Sequence, residues 1–121
     1  PWWLNRYFPE MIRLAAEMMH PEERLLSALE KAGFCNIAVT PYFVTNSLQD
    51  WFLQSGKYRP QIYLDPAVRA GISTFALMKD HPEIETGTSR LQKDISSGAI
   101  EKIIAAHESD LGDYVFVTAT K

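Results

Sequence analysis

Residues 21–44 read PEERLLSALEKAGFCNIAVTPYFV, which predicts a helix, a glycine stop and a strand. Pro21 is preset for the first helical turn, and the two glutamates after it place negative charge at the positive end of the helix dipole. Leucines and alanines then recur at three- and four-residue spacing. Gly33 suits the left-handed position after a helix, and Phe34 can fold back onto Leu29. We therefore expect the helix to end there and a strand to follow.

Two segments have the pattern of β-strands. Side chains alternate from residue 37 to residue 40, and the last ten residues read GDYVFVTATK, with apolar or aromatic side chains on both faces. A strand covered on both faces lies inside a sheet that has helices above and below it. An isolated two-stranded ribbon is only marginally stable in water, and Pro41 makes the first strand a poor interior strand. The sheet is therefore expected to be incomplete.

The expected fold class is α/β, which reduces to a helix-rich α+β arrangement when the chain is taken alone. We expect one piece of a larger α/β domain, or a chain that completes its sheet with strands from another chain. The sequence begins at Pro1 without an initiator methionine, so a piece of a longer protein is one expectation.

Composition and charge limit the classes of function. At 121 residues, with 46% hydrophobic and 22% charged residues, the chain has the composition of one globular domain. A net charge of −3 argues against nucleic-acid binding, which usually needs a basic surface. No 18-residue apolar run is present, so we expect no membrane span. Cys35 is the only cysteine, which excludes an intrachain disulfide and fits a reducing cytoplasm.

The first twenty residues are rich in aromatic and apolar side chains. Because proline is tolerated only in the first turn of a helix, Pro9 predicts a short turn over residues 2–7 and a helix over residues 8–19. Exposed aromatic side chains at a chain end are unfavourable, so we expect other parts of the protein to bury them. Packing in the core is a simpler explanation for these side chains than a ligand pocket. The cluster consists of Trp2, Trp3, Tyr7 and Phe8.

Residues 45–111 separate the two predicted strands and have the pattern of several short helices rather than of a hairpin loop. Long excursions from a sheet commonly carry binding surfaces, because the scaffold fixes their ends. The expected helices are one capped by Asn46 and Ser47 that ends at Gly56, one opened by Pro66 after Asp65 that runs through Gly71, one capped by Asp80 and Glu83 that ends at Gly98, and one that carries Ile100, Ile103, Ile104 and His107.

Four motifs resemble the C-terminal part of class I S-adenosylmethionine-dependent methyltransferases, in the branch related to small-molecule and quinone methylases. They are LNRYFPEM at residues 4–11, LLSALEKAGFCNIAV at 25–39, LDPAVRAGIS at 64–73 and GDYVFVTATK at 112–121. The resemblance implies that the strand pair is equivalent to the last two strands of the methyltransferase sheet, with the final strand inserted antiparallel. It also implies that the first five strands lie upstream and that the first segment covers the substrate.

The chain departs from that family at the cofactor. The family holds S-adenosylmethionine with a glycine-rich loop after its first strand and an acidic residue for the ribose hydroxyls. Here the six glycines are scattered and mostly explained as helix stops. No cofactor-binding residue of the family can therefore be assigned to a position in this chain, and we expect that the chain alone does not bind the cofactor tightly.

The candidate site residues are expected to form a substrate wall. Apolar rings with two guanidiniums are the composition of a pocket for a ring-bearing or acidic ligand. The alternative is that the rings belong to the core and the arginines pair with Asp50 or Asp65. No metal site, nucleophile elbow or acid–base carboxylate pair is indicated, so catalytic residues stay unassigned. The predicted substrate-binding residues are Tyr7, Phe8, Phe43, Trp51, Tyr58, Arg59, Tyr63 and Arg69.

Two functions are expected. The first is the substrate-covering portion of a cytoplasmic methyltransferase for a small molecule, which is not catalytic without its cofactor half. The second is a non-catalytic binding or oligomerisation module that dimerises through its unpaired strand. In both, a single partial domain comprises a lid-like helical segment at 1–20, a helix and strand at 21–44, a helical insertion at 45–111 and the final strand at 112–121.

Overall fold

The computed structural model describes residues 2–121, and Pro1, which begins the predicted lid-like segment, lies outside the described residues. The fold is helix-rich with one two-stranded antiparallel sheet, which is the class predicted from the sequence. In chain order its elements are a 3₁₀ turn (Trp3–Arg6), α1 (Pro9–Met18), α2 (Glu22–Lys31), β1 (Cys35–Tyr42), a second 3₁₀ turn (Pro60–Leu64), α3 (Pro66–Ala70), α4 (Ser73–Leu77), α5 (Pro82–Ser96), α6 (Ala99–Ala105) and β2 (Tyr114–Thr120).

The stop between α2 and β1 has the geometry that its sequence predicts. Gly33 has a φ of 84°, and its amide donates to the carbonyl of Glu30 at 2.9 Å. The amide of Phe34 donates to the carbonyl of Leu29 at 3.0 Å. These two bonds satisfy carbonyls in the last turn of α2 and direct the chain into β1.

The N-terminal aromatic side chains lie at the centre of the core. Trp3, Tyr7 and Phe8 are all buried. The rings of Phe8 and Phe75 pack edge to face with centroids 5.0 Å apart, and Trp3 packs in the same way on Tyr63 at 5.9 Å. The first segment and the helical excursion therefore share one core.

The start of α5 differs from the prediction. Nδ1 of His81, and not Asp80, accepts the amide hydrogen of Glu83, at 3.2 Å. The carboxylate of Glu83 instead reaches α1, where it accepts the amides of Glu10 at 2.8 Å and Met11 at 2.9 Å. A residue expected to cap its own helix thus satisfies free amides at the start of another helix.

The prediction of a helix between β1 and Gly56 is wrong, because residues 43–59 form turns. The hydroxyl of Ser55 accepts the amide of Phe52 at 2.7 Å and donates to the carbonyl of Asp50 at 2.7 Å. Serine side chains compete with the backbone for such bonds, and here they replace the helical pattern. We call residues 43–59 the turn segment.

The helix predicted to run through Gly71 is divided there into α3 and α4. As expected, Asp65 caps the first part, since its Oδ1 accepts the amide of Ala67 at 2.8 Å. Ile72 is extended and begins α4 as its cap residue. A Cβ at Gly71 would lie 2.9 Å from Cδ1 of Trp51, so the glycine allows that ring to approach the break.

The sheet is a ribbon with two free edges. Val39 pairs with Val117 and Thr40 with Phe116, and each strand has only the other as a hydrogen-bonded neighbour within the described chain. Val115 is 47% exposed and Phe116 is 58% exposed, and these adjacent residues lie on opposite faces. The ribbon therefore presents apolar side chains on both faces.

Candidate functional site

The carboxyl end of β1, the start of β2 and the turn segment meet at Asp113. The amide of Asp113 donates to the carbonyl of Tyr42 at 2.8 Å, and its Oδ2 accepts the amide of Val44 at 2.8 Å. Oδ1 lies 2.7 Å from Nζ of Lys57. The two side chains are only 6% and 9% exposed, so this ion pair is largely removed from water. It joins the turn segment to the ribbon.

Lys57 is a structural cation. Burial by itself would lower the pKa of Lys57, but the hydrogen bond and charge of Asp113, with a smaller contribution from Tyr58, raise the pKa above its ordinary value. The ammonium therefore stays protonated at neutral pH and is not a general base. The carbonyl of Lys57 accepts the indole hydrogen of Trp3 at 3.1 Å, which connects this junction to the core.

The turn segment also fixes Tyr114, the first residue of β2. The phenolic oxygen of Tyr114 accepts the amide of Gln54 at 3.0 Å, and the side-chain amide of Gln54 donates to the carbonyl of Asp113 at 3.0 Å. Burial raises the pKa of Tyr114, so its hydroxyl is neutral at physiological pH. The ring is consequently held in one place at the end of the ribbon.

Two apolar cavities meet at the rings of Phe52 and Tyr114, which line both. The smaller, about 240 Å³, is also lined by Met18, Met19 and Trp51, and we call it the methionine cavity. The larger, about 450 Å³, is in the size range of small-molecule sites, and we call it the aromatic cleft. The aromatic cleft is lined by Tyr42, Leu48, Asp50, Phe52, Tyr114 and Phe116.

Three of the predicted wall residues are packed in the core. Tyr7, Phe8 and Tyr63 are buried, and the hydroxyls of the two tyrosines are both satisfied. That of Tyr7 donates to Asp94 at 2.7 Å, and that of Tyr63 donates to the carbonyl of Leu53 at 2.6 Å. Burial is the main cause that raises the pKa of both tyrosines.

The other three predicted rings are exposed. Trp51 lines the methionine cavity and is 42% exposed, and Phe43 and Tyr58 are exposed to a similar degree. Of the predicted wall residues, Trp51 is the one that the structure brings to the edge of the aromatic cleft, through the shared ring of Phe52.

The two predicted arginines are held by backbone carbonyls. The guanidinium of Arg59 donates to the carbonyl of Leu48 at 2.8 Å, and that of Arg69 donates to the carbonyl of Tyr63 at 2.7 Å. Within residues 2–121, neither arginine forms an ion pair with Asp50 or Asp65. Burial lowers the pKa of Arg69 from its ordinary value. The eight predicted residues are thus not gathered around one cavity.

Most of the aromatic cleft was missed at the level of sequence. Tyr114 and Phe116 alternate on one face of the last strand, and that pattern was visible. Their juxtaposition with Tyr42 depends on the register of β1 against β2, in which Tyr42 pairs with Tyr114. Phe52 lies in the turn segment, where the sequence predicts a helix. Strand register and turn geometry were the missing information.

The described residues do not fit S-adenosylmethionine. Gly33, Gly98 and Gly112 have positive φ, but each lies singly beside a helix or strand end. Gly56 comes after β1, which is the side of a strand where a cofactor loop would lie. A Cβ at Gly56 would collide with the ring of Tyr63, so close packing explains this glycine. A nucleotide cradle needs several glycines between a strand end and a helix start. No such loop occurs in the part of the chain described.

The possible metal ligands and the helices of residues 2–121 bear on metal binding and on membrane insertion. No group of three or more His, Cys, Asp or Glu side chains there is arranged to hold a metal ion. His81 caps α5, and Nδ1 of His107 bonds the carbonyl of Ile103 at 2.7 Å. Over the same range, every helix is too short or too polar to cross a membrane.

No protein-family model matches the chain, and no curated protein shows significant similarity to it. A solved structure from Anabaena variabilis, described as a "putative methyltransferase from antibiotic biosynthesis pathway", is similar over 100% of this chain, with a TM-score of 0.78 and 30% identity. The chain spans about half of that protein, 49% of its length. The resemblance predicted from the four motifs is therefore confirmed, and the chain has the fold of part of a methyltransferase domain.

Proposed function

We propose that this chain is the C-terminal, substrate-covering portion of an S-adenosylmethionine-dependent methyltransferase that acts on a small molecule. The observation that carries the proposal is the similarity of the whole chain to about half of a protein described as a methyltransferase. In this proposal the other half supplies the glycine-rich loop for the cofactor, and the present chain alone is not catalytic. The single cysteine favours the cytoplasm as the compartment.

Completion of the sheet supports this assignment. Within residues 2–121, β2 has one free edge, and it carries Val115 and Phe116 on opposite faces, where both side chains are exposed. Burying apolar surface contributes roughly 25 cal/mol per Å², and a neighbouring strand would satisfy the amides and carbonyls of the open edge. A preceding half with further strands and helices would supply the strand neighbour and cover the face with Val115, while the face with Phe116 would line the aromatic cleft.

The position of the aromatic cleft supports a role in binding the methyl acceptor. In open α/β sheets, ligands bind outside the carboxyl ends of the strands. The cleft lies at the carboxyl end of β1 and includes Tyr42, the last residue of that strand. Methyl transfer is an in-line displacement that depends mainly on the positions of two substrates. An apolar wall can therefore decide the rate without a strong acid or base.

A second candidate is a non-catalytic module in which two copies associate through β2. The free edges and exposed apolar side chains of the ribbon favour this candidate as well. It requires a dimer whose population rises with protein concentration, with strands paired across a two-fold axis. Light scattering over a range of concentrations separates the two candidates, because a portion of a larger domain has no need for a self-complementary edge.

The direct test joins this chain to the sequence encoded upstream of Pro1. The longer protein should bind S-adenosylmethionine and transfer its methyl group to small-molecule acceptors, whereas the 121-residue chain alone should show no tight binding by isothermal titration. Micromolar binding of the cofactor to the chain alone would contradict the proposal. An upstream sequence without a glycine-rich βαβ unit would contradict it too.

A further inference from the structure

We infer that the aromatic cleft binds an organic cation, an ammonium group attached to an apolar body. Four aromatic residues, one leucine and one aspartate, Asp50, line this cavity of about 450 Å³. The faces of aromatic rings carry partial negative charge, and rings grouped around a cavity are a common way to bind quaternary ammonium groups.

The rings of the cleft form two inclined pairs. The centroids of Tyr42 and Phe116 lie 5.3 Å apart with an interplanar angle of 70°, and those of Phe52 and Tyr114 lie 5.8 Å apart at 56°. The hydroxyl of Tyr114 is bonded to the amide of Gln54, which fixes that ring. A ring that a hydrogen bond already fixes loses little freedom when a ligand binds.

The carboxylate of the cleft has no internal counterion. Asp50 has no ion-pair partner within 4.0 Å among residues 2–121, and its carbonyl accepts the hydroxyl of Ser55 at 2.7 Å. The cation–π contacts found in that range involve other rings, those of Tyr7, Phe34 and Tyr58. Within the described residues, no cation of the protein therefore occupies Asp50 or the four rings of the cleft.

The chemistry of the lining selects the class of cation. A small inorganic cation would lose its hydration shell in a cavity that is lined by one aspartate and otherwise mainly by apolar atoms. An acidic ligand is disfavoured by Asp50, and the guanidiniums of Arg59 and Arg69 donate to carbonyls elsewhere. A tertiary or quaternary ammonium group is weakly hydrated and matches both the rings and the carboxylate.

The identification of this cation with part of the methyl acceptor rests on the proposed function, whereas its binding to the cleft does not. The binding is tested on the 121-residue chain with choline and with 3,3-dimethyl-1-butanol, an uncharged molecule of the same shape. Shifts of the ring protons of Tyr42, Phe52, Tyr114 and Phe116 report occupancy by NMR. We expect choline to bind at least about fivefold more tightly than the alcohol, because only the cation gains from the ring faces.

Variants separate the carboxylate from the rings. Asp50→Asn should weaken choline binding about threefold or more and leave the alcohol unaffected, while Asp110→Asn, an exposed aspartate outside the cleft, controls for net charge. Phe116→Leu keeps an apolar side chain and should lower the preference for choline, whereas Phe43→Leu should not. Phe116 is mostly exposed, so the variant should remain folded, which circular dichroism checks.

The outcomes are decisive in both directions. Equal affinities for choline and the alcohol, no shifts at millimolar choline, or equal effects of Asp50→Asn and Asp110→Asn would each overturn the cation site. Choline binding by this chain without methyl transfer by the longer protein would uphold the cation site and contradict the proposed function. Methyl transfer by the longer protein without a preference for choline in this chain would uphold the proposed function and contradict the cation site.

Discussion

Glu83 connects two helices through one carboxylate. Its oxygens accept two amides at the start of α1, and no other side chain within residues 2–121 bonds to those amides. Glu83→Ala should therefore lower the free energy of unfolding by about 1–2 kcal/mol, the usual cost of losing a helix cap. Urea denaturation measures this change. Glu85→Ala, at an exposed position in the same turn of α5, is the matched control, and equal losses would contradict the assignment.

Trp51 lines the methionine cavity beside the aromatic cleft and packs against Gly71. If the proposed function holds, Trp51→Ala in the longer protein should reduce kcat/KM for the methyl acceptor more than it reduces stability, because the ring is 42% exposed. Steady-state kinetics and thermal unfolding measure the two effects. Losses of similar size in both would assign the ring to packing alone.

At the scale of elements, the ion pair of Lys57 and Asp113 holds the turn segment against the ribbon. Lys57→Met leaves the Asp113 carboxylate buried without its counterion, and the expected cost is about 3 kcal/mol or more. Urea denaturation measures it, with Lys79→Met as the control, since Lys79 is exposed and has no salt bridge in the described residues. A loss no larger than that of the control would show that the turn segment is held by other contacts.

Alkaline pH should weaken the packing of the core and the ribbon. Burial raises the pKa values of Tyr63 and Tyr114, and Asp113 raises that of Lys57 against the opposing effect of burial. Above about pH 10 the unfolded chain loses protons that the folded chain retains, so the free energy of unfolding falls as pH rises. Stability should be intact at pH 8 and reduced at about pH 11. A value that stays constant or rises over this interval would contradict these shifts.

The elements show which parts of the fold are encoded locally. The Gly33 stop and the Asp65 cap were predictable, because each depends on hydrogen bonds between residues a few positions apart. The contact of Glu83 with α1 joins residues 73 positions apart, and the link between Asp113 and Lys57 spans 56 positions. Hydrogen bonds of that kind have no signature in a short stretch of sequence.

The candidate site was less predictable than the fold for the same reason. The pattern of rings and arginines identified residues suited to a pocket. It did not show which of these residues are buried in the core. Tyr63 is in the core, whereas Tyr114 is in the cleft, and both are tyrosines in apolar surroundings. Only the register of the ribbon and the turns after β1 separate the two roles.

On the scale of the whole molecule, the ribbon has unpaired strand edges and exposed apolar side chains that the described chain does not cover. All helices except α2, which buries none of its residues, contribute to one core. Within the described residues, β2 is paired on one side only and exposes Phe116. Open edges with apolar side chains tend to pair with another strand. The similarity to half of a methyltransferase gives that missing neighbour an origin within the same protein.

The most direct test is amide hydrogen exchange along Tyr114–Thr120, compared between this chain and the longer protein that includes the upstream sequence. Amides of β2 that do not bond to β1 should exchange rapidly in the chain alone and at least about a hundredfold more slowly in the longer protein, because they gain a strand neighbour. Unchanged exchange would contradict the claim that β2 is an interior strand of a larger sheet. Protection that arises in the chain alone and grows with its concentration would also contradict it and favour the dimer.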